Sequence, residues 1–159
     1  MILDHVLKIL IAEDDRGVQT LLRTILSREG YAVECASDGI AALECCTSIS
    51  YDAILLDLTM PKASGTDVLR QIQERGRADV LSRIIVVTAA SVKDVAGVHG
   101  VPVIRKPFDL NDLLAAIRRI AGASAGPIEL DAKLLRTPTD VEVRTPSTVH
   151  RRERHGHRA

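Results

Sequence analysis

Aromatic residues are scarce in this chain of 159 residues, which holds two Tyr, one Phe and no Trp. Proteins that bind RNA or single-stranded DNA by stacking need several exposed rings, so the composition argues against that mode of binding. Hydrophobic residues nevertheless make up 46% of the chain. The core must therefore be filled by aliphatic side chains.

An excess of charge is also missing. The chain has 21 basic and 21 acidic residues and a formal net charge of +0 at pH 7. It therefore has no overall attraction to nucleic acid or to an anionic membrane surface. No run approaches the roughly 18 apolar residues that span a bilayer, and the N-terminus lacks a signal-peptide pattern. We predict a cytoplasmic protein with no membrane association and no nucleic-acid partner.

Cysteine is represented by Cys35, Cys45 and Cys46 alone. The number is odd, the chain has no C-x-x-C pair, and adjacent cysteines rarely form a disulfide. This usage is typical of a reducing cytoplasm. We interpret the three residues as small hydrophobic side chains of the core, with no redox or metal-binding role.

Short apolar runs alternate with helical patterns along most of the chain. The predicted strands cover residues 7–12, 31–36, 53–56, 84–87 and 101–104. Helical patterns follow each run, and the last, from Leu110 to Ile120, is the clearest. This alternation predicts a single α/β domain over residues 5–122, a doubly wound parallel sheet with helices on both faces.

The segment 123–159 has a different character. It contains three of the six prolines and no long apolar period. We predict a largely disordered C-terminal tail, in which residues 128–131 and 141–144 could pair as a short hairpin.

Polar side chains follow several of the predicted strands. Asp14, Asp15, Asp57, Thr88 and Lys106 each stand at or just beyond a strand end. Singly they have ordinary explanations, since an aspartate after a strand is usually a helix N-cap. In a parallel sheet, however, the carboxyl ends of the strands share one edge, where ligands bind. Coincidence is therefore a poor explanation for all five.

Three neighbouring carboxylates repel one another unless a cation neutralises them. Magnesium prefers such oxygen ligands, so Asp14, Asp15 and Asp57 are candidate ligands for Mg²⁺. Asp57 is placed to attack phosphorus as a nucleophile. Lys106 and Thr88 would then stabilise the charge on the phosphoryl oxygens.

At these residues the sequence resembles the receiver domain family of two-component response regulators, over about residues 7–122. The resemblance implies the flavodoxin-like strand order 2-1-3-4-5. It rests on strings that are specific only in combination. They are Ile11-Ala12-Glu13-Asp14-Asp15, Leu55-Leu56-Asp57-Leu58-Thr59-Met60-Pro61 with Gly65, Val86-Val87-Thr88-Ala89 and Arg105-Lys106-Pro107-Phe108, supported by Gly30-Tyr31-Ala32-Val33 and Ala36-Ser37-Asp38-Gly39-Ile40-Ala41-Ala42-Leu43.

The resemblance also implies the chemistry of the site. Asp57 would be the phosphoacceptor. Asp15, Asp57 and the backbone carbonyl of Thr59 would bind Mg²⁺ directly, and Asp14 would act largely through water. Thr88 would swing toward the phosphoryl group.

Further implications concern Lys106 and the phosphodonor. Lys106 would pair with the phosphoryl group and precede a cis peptide bond, while the small Ala89 would leave room for the donor. That donor would be a phosphohistidine on a sensor histidine kinase or a histidine phosphotransfer protein. It would dock beside the first helix, around Gly17, Val18 and Leu21.

Two features depart from the family pattern. Val103 stands where relatives carry Tyr or Phe, and its stiff side chain has no ring to rotate. This puts the usual switch pair, Thr88 with the aromatic, in doubt. The stretch from Thr88 to Lys106 is also about one helical turn short, and residues 91–96 form helices poorly. We therefore predict a shortened or irregular fourth helix.

We expect no effector domain within these residues. The favoured interpretation is a stand-alone receiver that is not an enzyme and that signals by phosphorelay or by protein contacts. A receiver-like interaction module without phosphorylation is the alternative. The kinase and the output protein are not identified by the sequence, and the face of the last helix leaves a homodimer open.

Two enzyme or nucleotide-binding classes fit less well. An aspartyl-phosphate phosphatase of the haloacid dehalogenase type needs an acid two residues after its nucleophile, where this chain has Thr59. A nucleotide-binding module needs a glycine-rich loop after its first strand. Here that place holds Glu13, Asp14 and Asp15, whose charges would repel phosphate unless a metal were present.

Overall fold

A computed structural model describes residues 5–96 and 98–122 of the chain. The predicted tail at 123–159, with its hairpin, lies outside the described residues. Within them, five strands alternate with six helices. The strands are β1 (Lys8–Ala12), β2 (Ala32–Ala36), β3 (Ala53–Leu56), β4 (Ile84–Thr88) and β5 (Val103–Arg105). The helices are α1 (Arg16–Arg28), α2 (Gly39–Ser48), α3 (Gly65–Glu74), α4 (Ala78–Leu81), α5 (Val92–Val95) and α6 (Leu110–Gly122).

The five strands form one parallel sheet in the order β2-β1-β3-β4-β5. In the register of this sheet, Leu10 of β1 lies between Glu34 of β2 and Ile54 of β3. The α/β class, the parallel sheet and the strand order implied by the resemblance are all confirmed.

The central strands are apolar on both faces, because successive side chains point to opposite sides of a sheet and both sides are covered. Leu10 and Ala12 of β1 join a core cluster beneath α2 and α3. Their neighbours Ile9 and Ile11 join the opposite cluster beneath α1 and α6. Helices therefore cover both faces of the sheet, as the apolar runs predicted.

Side-chain caps fix where three helices begin. Asp15 caps α1, Asp38 caps α2 through the amide of Ala41, and Ser64 forms a capping box with Asp67 at the start of α3. Each cap satisfies amide groups that have no partner within the helix. The capped turns follow β1, β2 and the loop after β3, so they fix the backbone near the carboxyl edge of the sheet.

Three elements refine the prediction. The helix in the short stretch after β4 is confirmed as truncated, since α5 spans only Val92–Val95. Strand β5 begins two residues later than expected, at Val103. The short helix α4 was not predicted, because its four residues bury only Val80 and so carry no apolar period.

The cysteines behave as core side chains. Cys46 is buried in the cluster beneath α2, and burial raises the pKa of its thiol to about 12. Burial also raises the pKa of Cys35. Both thiols are therefore held in the neutral, weakly nucleophilic form.

Among residues 5–96 and 98–122, no helix combines the length and the hydropathy needed to cross a bilayer.

Candidate functional site

Four strand ends and the turns after them meet at one edge of the sheet. Asp57 follows β3, and its amide donates to the Ala12 carbonyl at the end of β1 (3.0 Å). Lys106 follows β5, and its amide donates to the carbonyl of Thr88, the last residue of β4 (3.0 Å). The parallel sheet thus brings residues that are distant in the chain to within hydrogen-bond reach of one another.

The carboxylate of Asp57 lies at the centre of this edge and is only 6% exposed. Its Oδ1 atom accepts hydrogen bonds from the Thr59 amide (3.0 Å) and from the Thr88 hydroxyl (2.9 Å). Its Oδ2 atom accepts one from the Lys106 ammonium (2.9 Å). The sequence-predicted residues Asp57, Thr59, Thr88 and Lys106 are therefore brought together in the structure.

Lys106 bridges two buried carboxylates. Its Nζ atom lies 2.9 Å from Asp57 Oδ2 and 2.5 Å from Oε2 of Glu13, which is 3% exposed. Burial raises the pKa of Glu13 despite this partner. Burial alone would lower the pKa of Lys106, but hydrogen bonds to Glu13 and Asp57 and their charges outweigh it, so that pKa is raised. One cation thus holds two carboxylates together at the edge of the sheet.

The candidate metal ligands differ from those predicted. Glu13, Asp14 and Asp57 each offer a carboxylate oxygen, and these three atoms lie within 4.8 Å of one another. Asp15, which the resemblance implied as a direct ligand, is not in this group. Glu13, which was not predicted, takes its place.

The physical reason is that Asp15 caps α1. Its Oδ1 atom accepts from the amides of Gly17 (2.7 Å) and Val18 (3.0 Å). Those hydrogen bonds hold the pKa of Asp15 below its ordinary value, and the one from Val18 has the largest effect. Glu13 is the first residue after β1, and this proximity to the strand end was the signal in the sequence that could have identified it.

The two predicted switch residues, Thr88 and Val103, both contact neighbouring groups of the domain. The Thr88 hydroxyl already contacts Asp57 and also accepts from the Ala90 amide (3.1 Å). Val103 is half-buried and packs with Val95 and other aliphatic side chains against the core. The cis peptide bond implied between Lys106 and Pro107 is confirmed.

The predicted partner-binding residues lie on the first two turns of α1. Gly17 is exposed, Val18 is half-buried, and Leu21 is 58% exposed. Leu21 is one of the few large apolar side chains that the described residues leave exposed. The three residues lie close in sequence to the acidic turn of Glu13 and Asp14, so this apolar surface adjoins the site.

Comparison with known proteins decides the family. Residues 9–118 match the family model of the response regulator receiver domain. The chain belongs to this family. This receiver domain is 40% identical over 116 residues to the response regulator MprA of Mycobacterium tuberculosis, covering 71% of the chain and 50% of that protein. It is also 40% identical over 117 residues to MprA of Mycobacterium leprae, covering 72% of the chain and 50% of that protein. The chain spans about half the length of the curated relatives it matches.

Solved receiver domains share the fold. The receiver domain of sensor histidine kinase PA1611 from Pseudomonas aeruginosa, with magnesium coordinated in its active-site cleft, matches with a TM-score of 0.66 and 29% identity, over 74% of this chain and 99% of that one. The response regulator TrrA from Thermotoga maritima, in complex with Mg²⁺ and BeF, matches with a TM-score of 0.61 and 27% identity, over 72% of this chain and 99% of that one. Strand order and acidic edge therefore agree with the receiver assignment.

Proposed function

We propose that this receiver domain accepts a phosphoryl group on Asp57 from a phosphohistidine of a sensor histidine kinase or a histidine phosphotransfer protein. A carboxylate oxygen of Asp57 forms the new bond to phosphorus as the bond from phosphorus to the imidazole nitrogen breaks. The imidazole ring is protonated when this bond breaks, so it leaves as a neutral base. The observation that carries the proposal is the Asp57 carboxylate, buried at the sheet edge and contacted by Lys106 and Thr88.

The acidic group fits a magnesium ion. Glu13, Asp14 and Asp57 supply the hard oxygen ligands that Mg²⁺ prefers, and their oxygens are close enough to share one ion. Membership of the receiver family makes the carbonyl of Thr59, whose amide contacts Asp57, a further candidate ligand. A bound Mg²⁺ would neutralise negative charge on the carboxylates and on the incoming phosphoryl oxygens.

Lys106 and Thr88 stabilise the product. The ammonium of Lys106 supplies a positive charge beside Oδ2 of Asp57, and the Thr88 hydroxyl donates to Oδ1 of the same carboxylate. Fixed donors of this kind stabilise charge that develops during transfer, because they need no reorganisation. Glu13 holds Lys106 in place before the phosphoryl group arrives.

The donor protein docks on the exposed face of Gly17, Val18 and Leu21. An apolar side chain such as Leu21, exposed beside a charged site, is the kind of residue that contributes to a protein interface. Docking there would bring the donor's histidine to the turn that carries Glu13 and Asp14.

We propose a role in signalling that is not that of an enzyme. Thr59 cannot act as the general acid that a phosphatase of the aspartyl-phosphate class places two residues after its nucleophile. The receiver domain passes its signal on in the cytoplasm through protein contacts or a phosphorelay. A homodimer is one form that this output could take.

Acetyl phosphate tests the acceptor function without the partner. Incubation with acetyl phosphate and MgCl₂ is expected to add one phosphate to the intact protein, as measured by mass spectrometry. The same incubation with EDTA in place of MgCl₂ is expected to add none, because the carboxylates then repel the phosphoryl oxygens. A folded protein that gains no phosphate with MgCl₂ present would favour the non-phosphorylated interaction module.

A further inference from the structure

The loop between Asp57 and α3 has a strained tip. Lys62 has a φ of 66°, a conformation that side chains other than glycine rarely adopt. The amide of Ala63 donates to the carbonyl of Pro61 (2.8 Å), so the hydrogen bond closes around Lys62 as in a γ-turn with positive φ. A strained residue of this kind persists only where surrounding contacts hold it.

The contacts that hold the strained turn at Lys62 come from the loop before α2. The Lys62 ammonium lies 2.6 Å from Oδ2 of Asp38. The amide of Gly39 donates to the carbonyl of Pro61 (3.3 Å), and a Cβ atom on Gly39 would lie 1.9 Å from the carbonyl oxygen of Ala63. The two loops therefore touch backbone to backbone, and the ion pair adds a charged contact at their surface.

The Asp38 side chain of this ion pair is already ordered by another contact. Its Oδ1 atom accepts from the Ala41 amide (2.9 Å) as the N-cap of α2, and its side chain is only 15% exposed. The Lys62 side chain is 62% exposed. Exposed ion pairs usually contribute little, partly because both side chains must be ordered. Here the cap already orders Asp38, so the pair needs only Lys62 to be ordered.

We propose that Lys62 and Asp38 are positioning residues for the phosphorylation of Asp57. Their ion pair holds the strained turn, and the turn holds Thr59, three residues before Lys62, with its amide on Asp57 Oδ1 (3.0 Å). The base of the loop is closed separately by the Gly65 amide on the Leu58 carbonyl (2.9 Å). The inference rests on the proposed function, because it assigns these residues to the phosphoacceptor loop.

Substitutions that remove the charge and keep the shape test this role. Asp38→Asn retains a good N-cap residue and Lys62→Met retains the length of the side chain, but both remove the ion pair. Lys62→Arg retains the charge. The matched control is Lys8→Met, which removes a lysine–carboxylate ion pair of 2.7 Å between Lys8, the first residue of β1, and Glu34 in the middle of β2. Phosphorylation rates with acetyl phosphate and MgCl₂, thermal midpoints, and amide exchange at residues 59–63 are measured for each variant.

We expect Asp38→Asn and Lys62→Met to be phosphorylated about two- to fivefold more slowly, the range that an exposed ion pair allows. The double variant should be no slower than either single variant, and Lys62→Arg should match the wild type. Amide exchange at residues 59–63 should quicken while the thermal midpoint stays near that of Lys8→Met. Rates equal to the wild type in all variants, or an equal slowing in Lys8→Met, would overturn the positioning role. A wild-type protein that takes up no phosphate would overturn the proposed function instead.

Discussion

Replacing Gly65 with alanine is expected to destabilise the domain strongly and to slow phosphorylation of Asp57. A Cβ atom at Gly65 would lie 2.2 Å from the Asp57 carbonyl oxygen and 2.8 Å from the Leu58 Cα atom. Both are backbone atoms, so no flexible side chain can move away to make room. Relief requires the backbone of Asp57 itself to shift, which displaces the nucleophile.

Helix propensity alone would predict that Gly65→Ala stabilises the domain. Gly65 is the first residue of α3, and alanine is favoured over glycine inside a helix by about 1 kcal/mol. Overpacking of this severity costs about 3 kcal/mol, which exceeds the gain from propensity. A cost of this size lowers the thermal midpoint by about 10 °C in a domain of this length.

Thermal unfolding of Gly65→Ala is the measurement, with Gly122→Ala as the matched control. Gly122 ends α6, and a Cβ atom there would meet nothing within 4 Å. The control should unfold at or slightly above the wild-type temperature. Equal stability of Gly65→Ala and wild type would show that the loop after Asp57 is not packed as described.

Replacing Lys106 with methionine is expected to destabilise the metal-free protein and to strengthen metal binding. The substitution leaves Glu13 and Asp57 buried at the sheet edge without the cation that bridges them. Removing one partner of a buried ion pair costs about 3 kcal/mol, because the remaining charge is uncompensated. A divalent cation should replace the lost charge and bind about tenfold more tightly, since the competing ammonium is gone.

Urea unfolding with and without excess MgCl₂, together with calorimetric titration of Mg²⁺, measures both effects. Lys8→Met serves as the control, because it removes a lysine that is paired with Glu34 in a more exposed setting, and it should cost less than about 1 kcal/mol. Unchanged stability of Lys106→Met without metal, or weaker Mg²⁺ binding, would contradict the bridging role of Lys106.

Much of the fold could be predicted because the central strands are apolar at nearly every position, with Lys8 and Thr88 as the polar exceptions. Runs such as those of β3 and β4 are buried on both faces, and such runs occur in parallel sheets covered by helices. The exact start of β5 and the presence of α4 could not be predicted. Neither segment has an apolar period, and their backbone is determined by contacts with the rest of the domain.

A site residue could be predicted where its position in space follows from its position at the end of a strand. Asp57, Thr88 and Lys106 met this condition, and the structure brings them together. Glu13 directly follows β1 and meets it too, but this condition alone does not decide among Glu13, Asp14 and Asp15. All three are acidic, but Asp15 caps α1, whereas Glu13 and Asp14 join Asp57 in the acidic group that could hold a metal ion. Whether an aspartate side chain caps a helix or joins a binding site depends on side-chain geometry, which the sequence alone does not reveal.

Locating the phosphate on the chain shows whether Asp57 carries the phosphoryl group. The protein is incubated with acetyl phosphate and MgCl₂, reduced with borohydride to convert the acyl phosphate to a stable product, and mapped by peptide mass spectrometry. We expect modification at Asp57 alone and none in Asp57→Asn. Modification at another residue, or an undiminished phosphate gain in folded Asp57→Asn, would contradict it.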